Sequence, residues 1–276
     1  MTISAKDVKR LRDITGVGMM DCKRALQEAE GDFDAAIELL RKKGQKVADK
    51  RADREAKEGL IVTAATDDQR TCIIAEVNCE TDFVARNEDF QAFAHDIATL
   101  ILQERPADRD ALLALPFQNG ETLGEALITM TGKIGEKIDL RRFEIVTSED
   151  GEVVSYIHPG ARLGVLVDIN GGDNPAQTGR NVAMQVAALN PIALTSDAVP
   201  EEVKEKEMEI ARDAARNEGK PERILENIAR GKLKRYFKDN VLVEQPYVKD
   251  ASMTVKEMLK QAGATVTRYV RFALGG

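Results

Sequence analysis

The sequence predicts an α+β protein: a three-helix module, then two related α+β units with small antiparallel sheets, and an antiparallel helical hairpin inserted in the second unit. Three observations carry that expectation. Apolar residues recur at helical spacing near the N-terminus, the middle of the chain repeats itself, and two amphipathic stretches meet at the turn Gly219, Lys220, Pro221.

The N-terminal stretch reads as three short helices. Ser4 is placed to cap the first, with Val8, Leu11 and Ile14 on its apolar stripe and Gly16 and Gly18 ending it. Met19, Met20, Ala25, Leu26 and Ala29 mark the second, which stops at Gly31. Asp32 caps the third, with Ala36, Ile37, Leu39 and Leu40 inside it. Three helices this short barely bury a core alone. From Arg41 to Lys57 the chain is charged, mainly basic and almost free of apolar residues, so it reads as a solvated helical extension or linker. The resulting boundaries are residues 1–55, 56–142 and 143–276.

The repeat lies beyond that linker. GLIVT at Gly59 to Thr63 matches GEVVS at Gly151 to Ser155, and AEVN at Ala75 to Asn78 matches VDIN at Val167 to Asn170 without a gap. After a three-residue shortening, FAHDIATL from Phe93 matches VAMQVAAL from Val182. Each copy reads strand, turn, strand, loop, helix. Strand pairs of this size need packing partners. Residues 103–142, between the copies, read as mostly helical. Val203, Ile210, Ala211 and Ala214 mark one arm of the hairpin at residues 199–238, and Ile224, Leu225, Ile228, Ala229 and Leu233 mark the other. A last helix, TVKEMLKQAG, precedes a strand, TVTRYVRFAL, that is available to complete a sheet.

Composition excludes several classes. With 276 residues and 43% hydrophobic content the chain has enough apolar mass for a real core. A net charge of -7 argues against general nucleic-acid binding, which rests on basic excess. No apolar run is long enough for a transmembrane helix, and the charged start MTISAKDVKRLRDITG lacks the apolar region of a signal peptide, so the expected location is cytoplasmic. Cys22, Cys72 and Cys79 show no CxxC spacing, and with His95 and His158 as the sole histidines there is little material for a metal site. Neither GxxxxGK[ST] nor GxGxxG occurs, so the chain is not expected to hold a nucleotide phosphate or other cofactor itself.

The loop after the second strand separates the two copies. The second copy has the turn-rich GGDNPAQTG, whereas the first has CETDFVARNED. Cys79 is either a nucleophile or a small residue closing a buried strand, and nothing in the sequence pairs it with a base. Glu80, Asp82, Glu88 and Asp89 lack the spacing and central glycine of a calcium loop. Phe83 beside Asp82 is either an outward anchor for a partner or an inward plug of the local core. Met19 and Met20 cannot both face one helical stripe, so at least one is expected at the surface. His95, on an apolar helix, reads as a packed residue, while His158 follows a strand in SYIHPGAR with exposure or contact equally open.

TGVGMMDCKRAL, EVNCETDFVARN, KIGEKI, HPGARLGVLV, and GKPE with GKLKRYFKDNVLVEQPYV together resemble the bacterial translation elongation factor Ts family, in order and across nearly the whole chain. The resemblance implies guanine nucleotide exchange on elongation factor Tu: binding of its GDP form, release of GDP, and displacement when GTP binds. It implies no enzyme chemistry, with nucleotide and Mg²⁺ both held by the partner. It also implies an N-terminal module similar to a ubiquitin-associated domain and a projecting helical hairpin. By the same resemblance, Thr81, Asp82, Phe83 and Val84 disturb the partner's magnesium site, and Ile134 and Gly135 press near its phosphate-binding loop. His158 supports that region and is followed by an insertion-like step at Pro159. Leu11, Arg12, Met19 and Met20 grip a helix of the GTPase domain, and the second copy with the later helices faces the partner's third domain. Many relatives continue into a C-terminal helical module, whereas this sequence stops at ALGG, so contacts made by that module are not expected here.

Overall fold

The computed structural model describes residues 3–275, the side chain of Asn119 excepted. The first elements are helices α1 (Ala5–Thr15), α2 (Met19–Glu28) and α3 (Phe33–Arg51). Ser4 and Asp7 form a reciprocal capping box on α1, Gly16 ends it in the left-handed region, and the Asp32 carboxylate accepts from the Asp34 and Ala35 amides to start α3. Val8, Leu11, Cys22, Leu26, Ala36 and Leu40 close a small core among the three helices. Ile14, expected on that stripe, is instead 50% exposed.

Strands β1 (Glu58–Ala65) and β2 (Thr71–Cys79) follow, then a short helix α4 (Asp82–Ala85) and the long helix α5 (Glu88–Glu104). Next come α6 (Arg109–Leu113), α7 (Leu123–Ile134) and strand β3 (Asp139–Thr147). The mostly helical segment of residues 103–142 thus ends in a strand, which completes a sheet of order β1-β2-β3. The second copy gives β4 (Glu152–Ile157), β5 (Leu163–Gly171) and α8 (Pro175–Leu189). Then come α9 (Glu201–Asn217), α10 (Glu222–Asn240), the short strands β6 (Pro246–Tyr247) and β7 (Asp250–Thr254), helix α11 (Val255–Ala262) and strand β8 (Ala264–Ala273). β4 and β5 pair antiparallel from Glu152↔Ile169 to Ile157↔Gly164, and β8 joins them in the order β4-β5-β8. The fold is therefore α+β with small sheets, as expected.

The repeat is visible at single contacts. Gly59 lies so close to its partner strand that a Cβ there would sit 2.1 Å from the Val77 carbonyl oxygen. At the matching place in the second copy, a Cβ on Gly151 would sit 2.1 Å from the Ile169 oxygen. Only glycine permits that approach, and both copies have it. The helices that follow have asparagine caps at Asn87 and Asn174 and left-handed ends at Arg105 and Asn190, so the second loop is shorter than the three-residue difference suggested.

The chain forms two compact units. Of the described residues, one comprises 3–64, 74–144 and 273–275; the other comprises 65–73 and 145–272. In the first, β2 is buried at every position, including Glu76, whose carboxylate accepts from Arg142 Nε at 2.7 Å and from Asn78 Nδ2 at 3.2 Å. The basic stretch expected to be solvated is in part a packing surface: α3 runs on to Arg51 and crosses α7, where a Cβ on Gly132 would lie 2.6 Å from the Gly44 Cα. Small residues bring the two backbones together there in place of large apolar ones. In the second unit, Val165, Val167, Ile169, Val182, Val186 and Leu259 form the core beneath the β4-β5-β8 sheet. Its hairpin α9–α10 turns at Gly219, with Ala211, Ala215, Leu225 and Ala229 buried; Ile210, expected on this seam, is 53% exposed.

Candidate protein-docking site

β2 delivers the chain to the odd loop. Its last residue, Cys79, is fully buried and its thiol donates to the Thr81 carbonyl at 3.1 Å. Burial, then the carboxylates of Glu136 and Glu58, push that thiol up to about 12, which removes it as a nucleophile near neutrality. Cys79 is a packing residue.

The next two residues are fastened by side chains. Both Glu80 carboxylate oxygens accept from Arg51 Nη1 at 2.8 Å, and Oε1 also accepts from the Lys137 amide at 2.7 Å. Burial opposes the charge on Glu80, but the Lys137 amide and the Arg51 guanidinium outweigh it and hold the carboxyl below its ordinary value. Thr81 donates its amide to Glu136 Oε2 at 3.0 Å and its hydroxyl to Glu136 Oε1 at 2.7 Å. The same hydroxyl accepts from the Val84 amide at 3.5 Å, so Thr81 caps α4.

The expected loop is therefore one helical turn, and its periodicity decides where each side chain goes. Ala85 is buried, as is Phe90 a turn into α5, while Phe83 points away from the core and is 80% exposed. The inward-plug reading fails. Asp82 is paired with Arg86 at 2.7 Å on the same turn. Asn87 then caps α5 by accepting from Asp89 N at 2.9 Å and Phe90 N at 3.3 Å.

Phe83 and Val84 line an open groove together with Ile134 at the end of α7, and with Arg12 and Met19 from α1 and α2. Gly135 ends α7 in the left-handed region with φ +81°. Lys133 bridges across to Asp89 at 2.7 Å. Both methionines are at the surface, Met19 at 41% and Met20 at 63% exposure, and Arg12 is exposed beside them. Leu11 corrects the expectation: it is fully buried in the three-helix core and offers no side-chain surface, so its part is to support α1. His95 is a second correction. It lies on the solvent side of α5 because the buried stripe runs through Phe90, Phe93, Ala94, Ile97 and Ala98.

His158 belongs to the second unit and is exposed in the β4–β5 turn. Its Nδ1 lies 2.9 Å from the Tyr156 hydroxyl, and the Arg180 guanidinium stacks over the Tyr156 ring at 5.5 Å. The ring is thus oriented from below and open above. Glu136 and Arg51 were not singled out from the sequence, and Glu80 was weighed there only as one acid of a rejected calcium loop. Glu80 and Glu136 do fall inside the quoted motifs EVNCETDFVARN and KIGEKI, but no spacing rule joins residues so far apart.

An α+β scaffold that fixes an exposed aromatic beside an open groove of mixed polar and apolar lining, with its cysteines buried, has the form of a protein-docking surface rather than of a thiol active site. A family model described as Elongation factor TS matches residues 80–276. The chain is 50% identical to the elongation factor Ts of Flavobacterium psychrophilum over 277 residues, covering 99% of each. It is 47% identical to that of Chloroherpeton thalassium over 284 residues, covering 99% of this chain and 98% of that one. For Alkalilimnicola ehrlichii the identity is 48% over 275 residues, covering 100% and 93%. The chain belongs to the elongation factor Ts family, and so to the exchange factors of translation elongation in bacterial protein biosynthesis. Among the described residues no helix is long and apolar enough to cross a membrane, and no group of three or more His, Cys, Asp or Glu is placed to hold a metal ion.

Proposed function

We propose that this chain is the guanine nucleotide exchange factor for elongation factor Tu, and that Phe83 is the wedge that loosens the partner's Mg²⁺ and GDP. The observation that carries the reading is an aromatic side chain 80% exposed on a turn fastened by two carboxylates. Leaving a phenylalanine in water forgoes about 1.5–3 kcal/mol of burial. A partner pocket recovers that energy, and rigid mounting means little ordering entropy is lost on docking.

The physical cycle follows from linkage. Mg²⁺ neutralises phosphate charge on bound GDP, so displacing the groups that hold the ion loosens nucleotide and ion together. If factor and nucleotide each weaken the other's hold on the GTPase, the coupling is reciprocal and is typically about 1–3 kcal/mol. The factor then favours the nucleotide-free partner, and incoming GTP displaces the factor. Arg12, Met19 and Met20 grip the GTPase domain, Ile134 and Gly135 approach its phosphate loop, and His158 supports the contact. The three-part division at residues 55 and 142, with the hairpin in the last part, would assign these contacts to separate modules. No covalent bond changes, and the chain holds no nucleotide of its own.

The test is stopped-flow release of a fluorescent GDP analogue from elongation factor Tu. Phe83→Ala is expected to slow release at saturating factor by at least tenfold, about 1.4 kcal/mol of lost coupling. An unchanged rate would sink the wedge role.

A further inference from the structure

We propose that Glu136 is a positioning residue for exchange, acting through Thr81 to hold Phe83 and the Ile134–Gly135 turn as one rigid element. This rests on the wedge reading of Phe83 and deepens it. Two of the segments that line the groove, the turn Asp82–Ala85 and the end of α7, lie some fifty residues apart in the chain and have no covalent link between them beyond it. A crossed pair of carboxylates ties them. Glu136, directly after Gly135, accepts from both the amide and the hydroxyl of Thr81, at 3.0 and 2.7 Å. Glu80, directly before Thr81, accepts from the amide of Lys137 at 2.7 Å. Each segment thus supplies one carboxylate and the donors for the other's.

The geometry suits positioning. Two donors of one residue on the two oxygens of one carboxylate fix orientation as well as distance, and charge-assisted bonds of this kind are the strong ones. Thr81 also caps the turn that carries Phe83, so its rotamer sets the direction of that turn. Lys137 adds a third tie, donating its ammonium to the Ala52 carbonyl at 2.7 Å and the Arg54 carbonyl at 3.1 Å. Without Glu136, Thr81 keeps its capping role but loses the anchor that aims the turn. Phe83 and Ile134 would then arrive at a partner with independent motion, and ordering them would oppose the productive geometry.

The experiment compares Glu136→Ala, Thr81→Val, the double variant, Thr81→Ser and Phe83→Ala in GDP release from elongation factor Tu, with folding checked by circular dichroism and melting. Glu136→Ala and Thr81→Val are each expected to lower the maximal release rate roughly tenfold, with the half-saturating factor concentration nearly unchanged. The double variant should lose less than the product of the two single losses, because the Thr81 hydroxyl bond to Glu136 that Thr81→Val removes is one of the two that Glu136→Ala removes. Thr81→Ser keeps both donors and should retain the rate. Should Glu136→Ala melt below the assay temperature, Glu136→Gln is read in its place. A full rate for Glu136→Ala, or additive losses in the double variant, overturns the proposal while a slow Phe83→Ala leaves the wedge reading standing. A slow Glu136→Ala beside a fully active Phe83→Ala also overturns it, since Glu136 would then act by another route.

Discussion

Substituting alanine for Gly132 tests the crossing of α3 with α7, the helix whose end lines the groove beside Phe83. A Cβ at this position would lie 2.6 Å from the Gly44 Cα, with backbone rather than a flexible side chain in its way. Carbon atoms in good contact are about 3.5–4.0 Å apart, so α3 and α7 would have to separate by roughly 1 Å. Overpacking of this kind typically costs about 1–3 kcal/mol. Alanine is a better helix former than glycine by about 1 kcal/mol, which offsets part of that cost. The expected outcome is a net loss of about 1 kcal/mol or more. Gly231, inside α10 with nothing within 4 Å of a built Cβ, is the control: there alanine should stabilise by about 0.5–1 kcal/mol. The assay is urea unfolding combined with hydrogen exchange of the α7 amides, which reports the unit concerned as well as the whole chain. If Gly132→Ala stabilises as Gly231→Ala does, the close crossing is wrong.

Because the carboxyl of Glu80 is held below its ordinary value of 4.5, it contributes stability that is complete above that value and is lost as pH falls through the lower folded value. Glu80→Gln should therefore lower the melting temperature at pH 7, and the gap should close in acid; a gap that widened below pH 4 would contradict the linkage. Cys22, Cys72 and Cys79 are all buried, and burial pushes the Cys72 thiol, like that of Cys79, up to about 12. Iodoacetamide at pH 8 should label none of them in the folded protein and all three in urea, as read by intact mass.

Much of the architecture was legible because it is local. Ser4, Asp32, Gly16 and Gly219 act at helix ends within a few residues of themselves, and the caps form where those residues stand. The repeat was legible because the Gly59 and Gly151 contacts each need a residue with no side chain at a fixed distance from a strand end. What escaped depends on pairs distant in sequence. Gly44 carries no signal of its own in the charged stretch after Leu40, and its meaning comes from Gly132, which no local rule connects to it. Glu80 looked like a loose acid until Lys137 and Arg51 stood beside it. Ile14 and His95 show the limit of pattern reading: both were placed on an apolar stripe or an apolar helix, and both stand at the surface, whereas periodicity put Leu11 inside, where it lies.

The two copies also explain why one loop is open and the other is covered. Cys79 and Glu80 correspond in the repeat to Gly171 and Gly172. In the second copy that place is covered by the turn between α11 and β8: a Cβ on Gly171 would lie 2.8 Å from the Gly263 oxygen, and one on Gly172 would lie 2.6 Å from the Ala262 oxygen. Backbone packed so closely leaves no room for a carboxylate or for an aromatic turn, and glycines are what remain. In the first copy side chains do the anchoring, through Glu80 to Arg51 and Lys137 and through Thr81 to Glu136. That anchoring leaves Phe83 uncovered, at 80% exposure. The replacement of GG by CE in the repeat thus marks the copy whose loop stays open to a partner.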